Sequence, residues 1–160
     1  MNQEEETAKE IIELFKEKGW TLSTAESCTG GNIAHNITLI AGSSAIFKGG
    51  VVSYSNEVKM NILGVHKEDL DQHGAVSQPV VEQMAKGAAN VLRTDFAVAT
   101  SGVAGPGGGT PEKPVGTIWI AASNGDEVIS KKCLFGKERK ENIRKATLEA
   151  FFLLKEFVKK

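Results

Sequence analysis

The spacing of apolar positions along the chain changes period several times, and each change marks an element. In residues 3–18, Ala8, Ile11, Ile12 and Phe15 recur at helical spacing and Gly19 closes the run, which predicts an amphipathic helix. Residues 20–25 alternate instead, with Trp20, Leu22 and Thr24 on one side, as a half-buried strand does. Helical spacing returns over about 29–40 through Ile33, Ala34, Ile37 and Ile40. After the turn at 41–44, a second strand is predicted over 46–54. Its Gly49-Gly50 pair signals a bulge or a close backbone approach. A short helix over 55–63 follows, with Ser55 or Asn56 as N-cap.

The polar connection 64–74 has room for one helical turn around 67–71. Ser77 then caps a helix that carries Pro79 in its first turn and a buried stripe of Val81, Met84, Ala85, Ala88 and Leu92. A third strand over 96–100 runs into a loop, 101–110, too rich in glycine for the interior of a helix or strand. A fourth strand over 116–122 and a fifth over 128–135 are joined by Asn124-Gly125, a hairpin signal that makes them antiparallel. A last helix begins near Glu138 and buries Ile143, Ala146, Ala150, Leu154 and Phe157. The order α-β-α-β-α-α-β-β-β-α predicts a single domain over 1–160, a three-layer α/β/α sandwich with a mixed five-stranded sheet.

Composition narrows the function classes. The chain has 160 residues, 41% hydrophobic and 24% charged, with a formal net charge of −1. That balance fits a globular domain and lacks the basic footprint of sequence-independent nucleic-acid binding. The lysines that gather at the C-terminus (Lys155, Lys159, Lys160) read as a solvated last turn favoured by the helix dipole. The N-terminus is acidic and polar, unlike a signal peptide, and no apolar run approaches the ~20 residues of a membrane span. Cys28 and Cys133 are far apart and suggest neither a disulfide framework nor a metal cluster. A cytoplasmic, reducing setting is expected.

Candidate chemistry concentrates after the first three strands. In open α/β sheets, ligands gather beyond the carboxyl ends of parallel strands. If the first three strands are parallel, residues 27–31, 54–59 and 101–110 line one crevice. The first stretch, Ala25-Glu26-Ser27-Cys28-Thr29-Gly30-Gly31, is a strand–turn–helix corner carrying a hydroxyl and a thiol. Ser27 is a candidate nucleophile, although serine before a helix is also the commonest N-cap. Cys28 is its rival, because a helix N-terminus lowers thiol pKa. Glu26 can act as an acid or base, or orient its neighbours.

His35, His66 and His73 do not follow strand ends, which argues against a Ser-His-Asp triad, and their scatter argues against a zinc site. Lys59 is the better base. An unperturbed lysine is neutral in only about one molecule in 2,500 at pH 7, so the role requires burial to depress its pKa. Tyr54, the only tyrosine, can relay a proton or orient Ser27. The glycine-rich loop, with Gly102, Gly105, Gly107, Gly108 and Thr110, can cradle a phosphate through backbone N–H groups, yet it is not a Walker loop.

These same residues carry a family resemblance. Ala-Glu-Ser-Cys-Thr-Gly-Gly (25–31), Ala-Gly-Ser-Ser (41–44), Tyr-Ser-Asn-Glu with the following lysine (54–59) and His-Gly-Ala-Val-Ser (73–77) occur in order. Ser-Gly-Val-Ala-Gly-Pro-Gly-Gly-Gly (101–109) and Lys-Pro-Val-Gly-Thr (113–117) follow. Together they resemble the CinA C-terminal domain, the nicotinamide mononucleotide deamidase family, over nearly the full length and in its stand-alone form.

The resemblance implies an amidohydrolase that converts nicotinamide mononucleotide and water to nicotinic acid mononucleotide and ammonia. It implies Ser27 as nucleophile, Lys59 as general base and Tyr54 as an assisting group. Backbone N–H groups near Thr29 and Gly30 are expected to stabilise the oxyanion, and the loop 105–110 to hold the phosphate. The family usually shows Gly-Asp-Arg before the last helix. Here the run is Gly136-Lys137-Glu138-Arg139-Lys140, so either Arg139 or Lys140 fills the basic position. The chemistry requires no metal or organic cofactor. The expected partner is the nucleotide substrate, with no nucleic acid and no membrane, and a homo-oligomer is expected. A cysteine hydrolase using Cys28, and a non-catalytic nucleotide-binding module linked to competence or DNA damage, are the alternatives.

Overall fold

The computed structural model describes residues 1–159; Lys160, counted above among the C-terminal lysines, lies outside the described residues. The helices are α1 (Gln3–Lys18), α2 (Asn32–Thr38), α3 (Asn56–Asn61), α4 (Lys67–His73), α5 (Gln78–Leu92) and α6 (Arg139–Val158). The strands are β1 (Leu22–Glu26), β2 (Phe47–Val52), β3 (Phe96–Gly102), β4 (Thr117–Ser123) and β5 (Val128–Leu134). They form one sheet in the order β2-β1-β3-β4-β5. β1 is parallel to both β2 and β3, whereas β4 runs antiparallel to its neighbours β3 and β5. This is the mixed five-stranded sandwich that the element order implied.

The strands alternate between two cores. Leu22, Val98, Ile118 and Ile120 pack with α1, α2 and α6 residues such as Phe15, Ile37 and Phe151. Ala25, Ala97, Ala99 and Ala121 meet Val81, Met84, Ala85 and Ala88 of α5 on the other face. Small side chains there let helix and sheet approach closely. Gly87 does the same at the far side of α5, where a Cβ would fall 2.0 Å from the Leu63 carbonyl oxygen. That contact seats the end of the α3 segment against α5.

Several boundaries move for identifiable reasons. β1 begins at Leu22 rather than 20, since Trp20 joins a ring cluster with Phe15 and Phe96. α2 starts at Asn32 rather than 29, because Gly30 and Gly31 adopt positive φ (61° and 102°), which no helix accommodates. The bulge expected in β2 falls at Lys48: Leu22 pairs with Phe47 but Ser23 with Gly49. The neighbouring Gly50 makes the close approach, as a Cβ there would lie 2.1 Å from Thr24 Oγ1. Ser77 occupies the N-cap position of α5 without capping it, since its hydroxyl donates to Gly74 O at 2.7 Å.

Candidate active site

The three parallel strands end at one edge, and the segments that follow them enclose a pocket of about 310 Å³. Ser27 and Cys28 line it from the end of β1, Tyr54 and Lys59 from beyond β2, and 101–105 from β3 and its loop. Ala75 and Val76 close one side, and Arg139 reaches in from the first residue of α6.

Ser27 stands on a turn tied down at both ends. Its N–H donates to Thr100 O at 3.0 Å, and its carbonyl accepts from Gly30 N–H at 3.1 Å. Lys59 comes from α3, whose N-cap is Ser55, the hydroxyl accepting from Val58 N–H at 3.2 Å. The lysine is only 1% exposed. Its Nζ lies 3.0 Å from Ser27 Oγ, and donates to Ser53 O at 2.8 Å and Tyr54 O at 3.3 Å.

Burial holds the Lys59 amine below its ordinary value of 10.5, since the charged form loses its hydration. No carboxylate is hydrogen-bonded to it among the described residues. A neutral amine has two N–H groups and one lone pair. With the N–H groups directed at the two main-chain carbonyls, the lone pair is left for the Ser27 O–H. This geometry can take a proton from the hydroxyl. Cys28 stands in the opposite condition, as burial pushes its thiol up to about 12. A thiol so raised stays protonated near neutral pH, and because α2 begins only at Asn32, Cys28 lies outside the helix end expected from sequence to lower it.

The remaining expected residues divide into two groups. Gly102, Gly105, Gly107, Gly108 and Arg139 line the pocket. Gly102 is required by packing, because a Cβ would meet Ile118 Cγ1 at 2.5 Å. Arg139 donates from Nη1 to Gly105 O at 2.7 Å and from Nη2 to Tyr54 Oη at 3.1 Å, so it joins the glycine loop to the β2 end. The Tyr54 hydroxyl thus bonds Arg139 rather than Ser27 or Lys59, and the residue is 62% exposed.

Thr29, Gly30 and Thr110 are not part of the lining. The Thr29 hydroxyl is buried against Glu26 and Thr100, the Gly30 N–H is spent on Ser27 O, and Thr110 closes a turn with Lys113. The Gly30 amide, expected near the oxyanion, is thus hydrogen-bonded within the turn. Lys140 lies in a separate groove with Asn2, Asn32 and His35, so of the two candidates at the start of α6 it is Arg139 that lines the pocket.

Two contributors carried no local signal. Ser53 acts through its carbonyl, which any residue possesses. Asn142, buried in α6, donates to Ala104 O at 3.0 Å and Gly136 O at 2.9 Å, fastening the helix to the glycine loop. Among the described residues, no group of three His, Cys, Asp or Glu side chains is placed to hold a metal ion, and no helix is long and apolar enough to cross a membrane.

Comparison with known proteins gives a consistent picture. The nicotinamide-nucleotide amidohydrolase PncC of Escherichia coli K12 is 50% identical over 145 residues, 89% of this chain and 87% of that protein. A CinA-like protein of Shewanella pealeana is 49% identical over 92% of this chain, which spans 35% of that longer protein. The crystal structure of the competence/damage inducible protein CihA from Agrobacterium tumefaciens superposes with a TM-score of 0.95 at 43% identity, covering 98% of this chain and 96% of that one. Residues 4–158 match the CinA C-terminal domain, and the chain belongs to that family.

Proposed function

We propose that this protein is an amidohydrolase that converts nicotinamide mononucleotide and water to nicotinic acid mononucleotide and ammonia by a Ser–Lys mechanism. The observation that carries the reading is the buried Lys59 amine, 3.0 Å from Ser27 Oγ in a pocket at the parallel-strand ends. Half-identity to an enzyme named for this reaction supports the substrate.

Ser27 Oγ attacks the carboxamide carbon as Lys59 Nζ takes the hydroxyl proton. The tetrahedral oxyanion is met by the Cys28 N–H, the amide next after the nucleophile, which donates to no other residue among those described. The C–N bond then breaks, and Lys59 returns the proton to the leaving nitrogen, which departs as ammonia. Water attacks the acyl-serine with Lys59 as base, releasing the carboxylate product and restoring the Ser27 hydroxyl. Arg139 supplies positive charge for the phosphate, with Gly107 and Gly108 in the lining of the same pocket. Tyr54 assists by setting the Arg139 guanidinium and by offering its main-chain carbonyl to Lys59.

A cytoplasmic setting belongs to the same reading and accords with two buried free thiols. So does a homo-oligomer, supported by the exposed Val52 that ends the edge strand β2.

Ammonia release by wild type, Ser27→Ala and Cys28→Ala tests the reading. Ser27→Ala is expected to lose at least ~10³-fold in kcat, and Cys28→Ala to retain most of it. The reverse pattern establishes a cysteine hydrolase, and binding without ammonia release establishes a nucleotide-binding module.

A further inference from the structure

Glu26 is buried to 1% exposure at the end of β1, immediately before the proposed nucleophile, and it does not line the pocket. It is no acid or base for the substrate. The hydrogen bonds of its carboxylate run to the turn and to the start of α2. Oε1 accepts from Thr29 Oγ1 at 2.6 Å and from Ile33 N–H at 2.8 Å, and Oε2 accepts from Ala34 N–H at 3.0 Å. Thr29 Oγ1 also lies 2.8 Å from Thr100 Oγ1. A hydroxyl carries one proton. Thr29 spends its proton on the carboxylate, so Thr100 must donate to Thr29.

The chain Thr100 to Thr29 to Glu26 is therefore directional, and it joins the end of β3 to the end of β1 across the turn. Thr100 also accepts the Ser27 N–H through its carbonyl. Gly30 and Gly31 leave that turn little stiffness of its own.

We propose that Glu26 is a positioning residue whose buried carboxylate, acting through Thr29 and Thr100, fixes the turn that presents Ser27 Oγ to Lys59 Nζ. The inference rests on the Ser–Lys reading above. Glu26 does not line the pocket and is not hydrogen-bonded to Lys59, so its loss acts on geometry and leaves the base unchanged. The required signature is a fall in kcat with KM and the pH midpoint of kcat/KM held.

Thr29→Val is the cleanest probe, because it cuts the link to β3 while the Ile33 and Ala34 bonds to Glu26 remain. Glu26→Gln keeps the reach and the Oε1 bonds but turns an amide N–H₂ toward the Ala34 N–H. Glu26→Asp keeps the charge without the reach. Ammonia release, melting temperature and pH profiles are measured for all three, with Ser27→Ala as the control for the underlying reading.

Each of the three is expected to lose about 10- to 100-fold in kcat, the scale of an ångström misplacement, with KM within about threefold. Glu26→Gln combined with Thr29→Val should cost less than the product of the single effects, because both break one connected unit. Wild-type kcat per folded molecule in Thr29→Val and Glu26→Gln, with Ser27→Ala inactive, overturns the inference and spares the reading. Full rescue by Glu26→Asp overturns it in favour of charge alone. An active Ser27→Ala removes both together.

Discussion

Replacing Lys59 by methionine separates the chemical role of the amine from its packing. Methionine is unbranched, of similar length, and fills irregular space well. On the catalytic side it removes the group hydrogen-bonded to Ser27 Oγ among the described residues. A general base contributes ~10²–10⁴-fold, or about 2.7–5.5 kcal/mol of barrier. On the stability side two effects oppose. Ser53 O and Tyr54 O lose their donor, which costs about 1–3 kcal/mol each if nothing replaces it. The variant is also relieved of a buried amine with no carboxylate beside it. The net is on the order of 1 kcal/mol, so Tm is expected to move by only ~2–4 °C.

Linkage supplies a second readout. The folded state holds the amine below 10.5, so between that lowered value and 10.5 the unfolded chain binds more protons than the folded one. Wild-type stability from this group therefore rises with pH through that window. Lys59→Met has no such dependence, and its Tm relative to wild type should be most favourable below the window and least favourable near pH 10.5. Steady-state ammonia release and calorimetry at several pH values provide the data. Retention of more than a tenth of kcat/KM, or a loss explained by the unfolded fraction, refutes the assignment of Lys59 as base.

Three further outcomes are expected. Arg139→Ala should raise KM for nicotinamide mononucleotide by about 10- to 100-fold, the scale of a lost charge-assisted bond, whereas Lys140→Ala changes it less than about twofold; equal effects on KM place the phosphate elsewhere. The pyridinium charge near the scissile amide should disfavour protonated Lys59 further, so the acid limb of kcat should lie at lower pH than that of kcat/KM; coincident limbs count against it. Thr24 Oγ1 is buried without a hydrogen-bond partner among the described residues. Thr24→Val should therefore stabilise by ~1 kcal/mol, visible as a Tm increase of a few degrees, and an unchanged or lower Tm contradicts it.

The elements were legible because their causes are local. The 3.6-residue stripe of Ala8, Ile11, Ile12 and Phe15 and the stop at Gly19 state α1 within one stretch of chain, and α1 is found at Gln3–Lys18. Asn124-Gly125 likewise states the β4–β5 hairpin, whose antiparallel register runs from Ser123–Val128 to Thr117–Leu134. Boundaries shifted where long-range packing competed with local pattern. Trp20 alternates like a strand residue, but its ring finds Phe15 and Phe96 and leaves β1 to begin two residues later.

The corner Ala25–Gly31 shows the division most clearly. By itself the sequence determined that a hydroxyl and a thiol sit on a turn between a strand and a helix, and that two more suspicious segments follow strands. Only the tertiary structure decided between hydroxyl and thiol. Desolvation pushes Cys28 up to about 12, while a residue 32 positions away places its amine 3.0 Å from Ser27 Oγ. Likewise, Arg139 and Lys140 are indistinguishable as sequence neighbours. About 100° of rotation along α6 sends one to Tyr54 and Gly105 and the other to a different groove. Local pattern encodes which elements form. Burial, and the meeting of residues distant in the chain, exist only once the sheet has brought three strand ends to one edge.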